Sequence, residues 1–341
     1  MVLTYKDAAH IPSKLSLFYA QAYESLFQKH DAIKAGFQRE RRSSLDIQDF
    51  ERAFSAFCLL SYDRGDFSFS RIDALAYLDK GKSLSLIEYT SADVLDDSIQ
   101  AVCLLLEDGL DLVFAHRSFQ EYFVARFVNS VADADARDRL VRQLGESGRS
   151  DTVIGLLYEM GAAAVERNYL LPAIDRLKSV IHYKSKVGIT HYLAYLKTFF
   201  TSFRCFDDAT GPSATLKDPS LFGALLFTRG VLKGEVPAEA GASTRAWRAR
   251  ACELLQAEAA GKSELRAASL TTTSPFVRHL VEADGAFGIG FVRRALAVSK
   301  AIEQRQSKVA ASLADLLQNP GPRRADTVAA RRRRAAVPPT R

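Results

Sequence analysis

Phe114-Ala115-His116-Arg117-Ser118-Phe119-Gln120-Glu121-Tyr122-Phe123-Val124-Ala125 is the stretch whose reading decides the fold of this chain. Upstream of it, an apolar run at residues 102–106 is separated by Asp108-Gly109 from a second at 112–115. Two such runs across an Asp-Gly pair predict a tight β-hairpin, because Asp-Gly readily supplies the positive φ angles its turn demands. A helix is expected to follow at once. Ser118 with Glu121 three residues on spells a capping box, each side chain satisfying a backbone N–H of the first turn. Phe119, Tyr122, Phe123, Arg126 and Phe127 then fall at i, i+3, i+4, i+7 and i+8, giving one aromatic face with an arginine stem alongside. His116 is left between a strand end and a helix N-terminus, where free N–H donors and a partial positive charge favour a phosphate. Taken alone, a histidine beside an aromatic face is more often structural.

The wording of the whole segment changes that balance. It resembles the F-x-H-x-S-F-Q-E-[FY]-F-x-A signature in the winged-helix part of NACHT-type STAND NTPases, the nucleotide-switched signalling ATPases that include many bacterial anti-phage sensors. The resemblance implies that His116 reaches the β-phosphate of bound ADP and holds the protein shut. Phe114, Ser118, Phe119, Gln120, Glu121, Tyr122 and Phe123 fall on the remaining motif positions as its structural support. Residues 11–19, with Pro12 and Tyr19, look like the lead-in to the small helical domain that follows the ATPase core in that family. The segments 30–34, 45–62 and 67–70 are similar to bacterial members in order and spacing. The likeness is strong over residues 5–129 and weak beyond.

A phosphate-cradling P-loop needs G-x-x-x-x-G-K-[ST], so that backbone N–H groups wrap the phosphates and the lysine reaches them. Two Gly-Lys-Ser tripeptides occur, at Gly81 and Gly261, but Ala76 and Gln256 stand where the first glycine belongs. No strand ending in paired acids precedes the helical region either. The expectation is the C-terminal part of a NACHT NTPase, not an enzyme by itself and without catalytic residues, metal or cofactor of its own. It would meet ADP or ATP only when joined to its ATPase core in the same polypeptide or a neighbouring one. The family also implies homo-oligomerisation on activation by a trigger the sequence does not identify.

Composition narrows the remaining choices. The net charge is +6, and residues 319–341 carry seven arginines against Asp326, which leaves 39 basic and 39 acidic groups in residues 1–318. Basicity belongs to a proline-rich tail, expected to be disordered because it has almost nothing apolar to bury. Nucleic-acid binding is therefore expected at most through that tail. Cys58, Cys103, Cys205 and Cys252 are scattered with no C-x-x-C pair, which suggests free thiols in a reducing cytoplasm. No run approaches the ~20 apolar residues of a membrane span.

Helical periodicity covers 12–35, 46–62, 70–80, 93–104 and 118–130, with Asp46 placed to cap the second. Further helical segments are expected at 133–145, 151–165, 167–183, 189–203, 217–232, 243–260, 275–282 and 286–317, with loops at 211–213 and 234–241. The expected fold is mainly α: a helical bundle plus a winged-helix-like unit with one short β-hairpin (1–130), a C-terminal helical domain (131–318) and the tail (319–341). The stretch 183–206 interleaves lysines with tyrosines and phenylalanines. That pattern can stack nucleic-acid bases, but at helical spacing it more often makes a core face with lysines reaching outward. Asp96-Asp97 and Asp207-Asp208 read as solvated or capping groups. A free-standing winged-helix nucleic-acid-binding protein is the rival reading, and it needs a basic recognition helix.

Overall fold

The structure, a computed structural model, describes residues 12–29, 41–147, 149, 151–206, 210–232, 236, 243–283 and 285–318. The tail and the expected end of the first helix lie outside those residues, as do Asp207-Asp208 and almost all of 234–241. The chain is mainly α-helical with two small three-stranded antiparallel sheets. It divides into two compact units, Met1–Asp175 with Asp218–Leu225, and Arg176–Lys217 with Leu226–Arg341.

The first unit runs α1 (Leu15–Lys29), α2 (Ile47–Arg64), β1 (Ser68–Ser70), α3 (Arg71–Ser85), α4 (Ser91–Asp96), β2 (Leu105–Asp108), β3 (Asp111–Phe114) and α5 (Arg117–Ser130). It continues through α6 (Ala134–Glu146), α7 (Val153–Met160), α8 (Ala162–Val165) and the start of α9 (Leu171–Val180). Asp46 caps α2 as expected, its carboxylate accepting from the N–H groups of Gln48 and Asp49. Gly65 ends that helix at φ 81°, a left-handed position that costs glycine nothing. The hairpin is where it was expected, but its central pair is Gly109-Leu110, between the partners Asp108 and Asp111. Only Gly109 has positive φ there, the pattern of a type II′ turn. β1 adds a third strand on the other side of β3.

The core of this unit is aromatic. Phe54 meets Phe123 edge-on at 5.0 Å, Tyr23 meets Phe123 at 5.3 Å, and Phe114 lies 5.6 Å from Phe69 and 6.0 Å from Phe57. Edge-to-face pairs suit the ring quadrupoles and add to the burial of large apolar areas.

Adjacent Asp96 and Asp97 are buried, not solvated, and this corrects the sequence expectation. Asp97 accepts from the N–H groups of Arg42 and Ser43, both at 2.9 Å, and Asp96 pairs with the guanidinium groups of Arg42 and Arg71. α4 widens here into a π turn over residues 97–101. The two carboxylates share Arg42, Asp97 through its backbone N–H and Asp96 through its guanidinium, and diverge to Ser43 and Arg71.

The second unit contains the rest of α9, then α10 (Ile189–Phe199), β4 (Phe200–Cys205), β5 (Pro212–Leu216), α12 (Arg245–Ala259), β6 (Leu265–Arg266), α13 (Pro275–Leu280) and α14 (Ile289–Gln318). α11 (Pro219–Phe227) lies between β5 and α12 in the chain. The strand order β5-β4-β6 makes a second sheet that was not expected: β4 overlaps the end of the helix expected at 189–203, β5 the loop expected at 211–213, and β6 lies between the helices expected at 243–260 and 275–282. In residues 200–205 the alternation of buried and exposed residues is broken where the register shifts between Phe200 and Ser202, and the strand follows α10 without a glycine or proline to announce the change. Pro212 opens β5, a position that needs no N–H from it. Tyr192, Tyr195, Phe199, Phe200 and Phe203 are all buried and form core, while Tyr183 and Phe206 at the two ends of 183–206 stay outside it.

Two of the four expected free thiols are not free. Cys205 on β4 and Cys252 on α12 form a disulfide, their Cα atoms 5.6 Å apart across 47 residues of sequence, while Cys58 and Cys103 stay reduced. Closing a loop of that size removes chain entropy from the unfolded state. Reduction should therefore destabilise the second unit by about 2–4 kcal/mol in a denaturant titration. Identical titrations with and without reductant, or four titratable thiols in the unreduced, unfolded protein, would contradict the bridge.

Candidate functional site

β3 delivers the chain to α5 through Ala115 and His116, and the motif residues divide by where the helix turns them. Phe114, Gln120, Glu121, Tyr122 and Phe123 are buried, Ser118 and Phe119 are half-buried, and His116 is exposed. α5 begins at Arg117 with His116 as its N-cap, not Ser118. The imidazole Nδ1 accepts from the Ser118 N–H at 3.2 Å and lies against the Ser118 hydroxyl. Because Nδ1 accepts, the neutral ring carries its proton on Nε2. That N–H is a donor standing at the positive end of a 14-residue helix.

Glu121 does not close a capping box. Its carboxylate is carried into the unit, where it accepts from the N–H of Thr152 at 3.1 Å and from its hydroxyl at 2.5 Å. It thereby fixes the chain just before α7. Gln120 is fully buried and donates through Nε2 to the Ser61 hydroxyl at 2.9 Å and the Asp66 carbonyl at 3.0 Å, tying α5 to the end of α2 and the approach to β1. Its Oε1 is buried without a hydrogen-bond partner. Phe119 stacks edge-on with Tyr19 at 5.5 Å, and Tyr122 lies 5.6 Å from the same ring. Burial, and then the Glu51 carboxylate, push the Tyr122 phenol up to about 12, so it stays neutral at pH 7. Arg126 grips Glu51 with two nitrogens, at 2.5 and 3.1 Å.

Arg117 stands next to His116 and places its guanidinium 3.9 Å from the centre of the Phe67 ring, with Glu121 at 3.4 Å. The sequence did not single out Arg117 as a site residue. Its signal was its place at the first helical position beside the histidine. The arrangement offers one imidazole N–H at the positive end of α5, beside a guanidinium already engaged by Phe67 and Glu121, a setting that favours an anion. Among the described residues no cluster of three or more His, Cys, Asp and Glu side chains could hold a metal ion. No described helix is long and apolar enough to cross a membrane.

Residues 160–317 match the family model SNaCT13, described as the Short NACHT-associated C-Terminal domain, family 13. No curated protein and no solved structure matches the chain. The matched span begins at the end of α7 and runs through the second unit into α14, downstream of the hairpin and the His116 motif. The match to a NACHT-associated C-terminal domain thus lies downstream of the segment that resembles the winged-helix region of NACHT proteins, and it supports a C-terminal part of a NACHT-type protein.

Proposed function

We propose that this chain is the regulatory and sensing portion of a STAND-type NACHT NTPase acting in prokaryotic anti-phage defence. Residues 1–130 serve as the lid that closes over ADP held by the ATPase core, and residues 131–318 meet the trigger or partner. The observation that carries the reading is the division of labour in the motif. Phe114, Ser118, Phe119, Gln120, Glu121, Tyr122 and Phe123 are wholly or partly packed inside, whereas His116 is exposed together with its neighbour Arg117, and its Nε2 proton is available at a helix N-terminus. The order α2, β1, α3, α4, β2, β3, with the hairpin as the wing, further supports a winged-helix lid. Nucleotide is a ligand of the joined protein, and activation proceeds through self-assembly in the cytoplasm.

Winged-helix nucleic-acid binding fits less well. The helical stretch before the hairpin, α4 with its π turn over residues 91–101, carries Asp93, Asp96 and Asp97 and buries seven of its eleven residues, leaving little to place in a groove.

The experiment is ADP retention by the intact protein, wild type against His116→Ala. A second expected result concerns the chain alone. With no P-loop lysine and no metal-holding acid pair in its sequence, the purified chain should show no steady ATP turnover. Turnover that follows the protein through purification and is lost in His116→Ala would contradict this.

A further inference from the structure

The second unit holds a groove outside everything discussed so far. Its walls are the end of α9, the segment 182–187 and one face of α14, and it encloses about 710 Å³. A second cavity of about 480 Å³ shares Lys178 and Tyr183 with it and adds His182 and Lys184. The lining combines five cations (Lys178, Lys184, Lys186, Arg293 and Lys300) with a single carboxylate, Glu303.

That carboxylate is already engaged. Glu303 accepts from the Ser299 hydroxyl at 2.8 Å and from the Lys178 ammonium at 3.2 Å, and these bonds, the serine's first, hold it below the usual carboxylate range. Lys178 also donates to Ser299 at 2.9 Å. Lys186, Arg293 and Lys300 make no ion pair with any described carboxylate. Arg293 and Lys300 are seven residues apart on α14, hence on one face, with exposed Ala297 between them. Arg293 also reaches the Val187 carbonyl at 3.5 Å, and the Tyr183 hydroxyl donates to the Ser185 carbonyl at 3.0 Å, which braces the ring in its own loop. The rest of the wall is apolar, from Val187, Leu296 and Ala297.

We propose that this groove is a binding site for a nucleoside polyphosphate, with the phosphates held by Lys186, Arg293 and Lys300 and the base resting against Tyr183. Three unpaired cations at one mouth repel one another, and a polyanion relieves that repulsion. A naked polyphosphate would leave the ring and the apolar wall unused. The enclosed volume falls in the range of about 300–1,000 Å³ common for small-molecule sites. Tyr183, Lys184 and Lys186 are the part of the base-and-aromatic stretch that the core did not absorb.

The test is calorimetry of the full chain with ATP, tripolyphosphate and adenosine. ATP should bind most tightly, tripolyphosphate less well and adenosine least. Lys300→Glu and Arg293→Glu should each weaken ATP by about tenfold or more, as expected for loss of a charge-assisted contact. Tyr183→Ala should weaken ATP about fivefold through lost stacking and leave tripolyphosphate unchanged. Lys308→Glu, on α14 outside the groove, should change nothing. All four are surface substitutions, and an unaltered circular dichroism spectrum checks folding. The proposal is overturned by absence of ATP binding at millimolar concentration, by wild-type affinity in Lys300→Glu, or by equal weakening in Lys308→Glu. Adenosine binding as well as ATP would overturn it too, as would an RNA strand of about 20 nucleotides binding more tightly than ATP, which would mark a nucleic-acid backbone as the ligand.

Discussion

His116→Ala in the intact protein, with its ATPase core, should release ADP roughly 10- to 150-fold more readily than wild type, the equivalent of a charge-assisted hydrogen bond of about 1.5–3 kcal/mol. If the bond exists mainly in the closed state, its loss moves the closed–open balance by the same factor and raises spontaneous oligomerisation. Since His116 is also the cap of α5, alanine removes a cap as well, at about 0.5–2 kcal/mol of stability. His116→Asn separates the two effects. Asparagine caps well but ends short of the Nε2 position, so this variant should keep the thermal stability and still lose ADP. Ser118→Ala removes only the hydroxyl beside Nδ1 and should fall between wild type and His116→Ala. The measurement is bound ADP after gel filtration, with thermal stability read on the same samples. Equal ADP retention in wild type and His116→Asn would mean that the histidine is only a cap.

Phe123→Ala should destabilise the first unit by about 3–5 kcal/mol, the range for emptying a large aromatic site in a packed core. Phe123 is fully buried and has ring contacts with Tyr23, Phe54, Phe119 and Tyr122, which come from α1, α2 and α5. No single neighbour can collapse into the space without breaking its own pairs. In urea the loss should lower the midpoint by more than about 1 M, given slopes of about 1–3 kcal/mol per molar. Leu110, at 98% exposed on the hairpin tip, is the comparison, and Leu110→Ala should stay within about 0.5 kcal/mol of wild type. A Phe123→Ala loss below about 1 kcal/mol would show that this aromatic cluster does not hold the unit together.

Elements with strong local signals were legible in the sequence. The hairpin showed because two apolar runs flank a glycine that can take positive φ, and α2 showed because Asp46 precedes a regular apolar face. The signature at Phe114 to Ala125 led to a NACHT-type protein, and the family match at 160–317 came from a different part of the chain. The second sheet was not legible. β4 follows α10 with no break in composition, so its pairing with β5 and β6 is decided by neighbours far along the chain, which strand propensity reflects poorly.

Pairings across long stretches of sequence belong to the tertiary structure in the same way. Cys205 meets Cys252 over 47 residues, Gln120 meets Ser61, and Glu121 turns from its own helix end to Thr152, because each gains more from a buried partner than from a local one. The capping box fails for that reason. A local rule places Glu121 beside Ser118, but a carboxylate entering a packed unit needs donors there, and Thr152 supplies two. The sequence alone determined the mainly helical class, the hairpin, the aromatic helix after it and the candidate histidine, all of which depend on residues within a turn or two of each other. Only the tertiary structure decided that His116 caps α5 while Gln120, Glu121, Tyr122 and Phe123 pack inward, and that Tyr183 and Lys186 stay at a surface groove while Tyr192, Tyr195, Phe199, Phe200 and Phe203 enter the core. Those outcomes depend on which donors, acceptors and apolar faces meet in space.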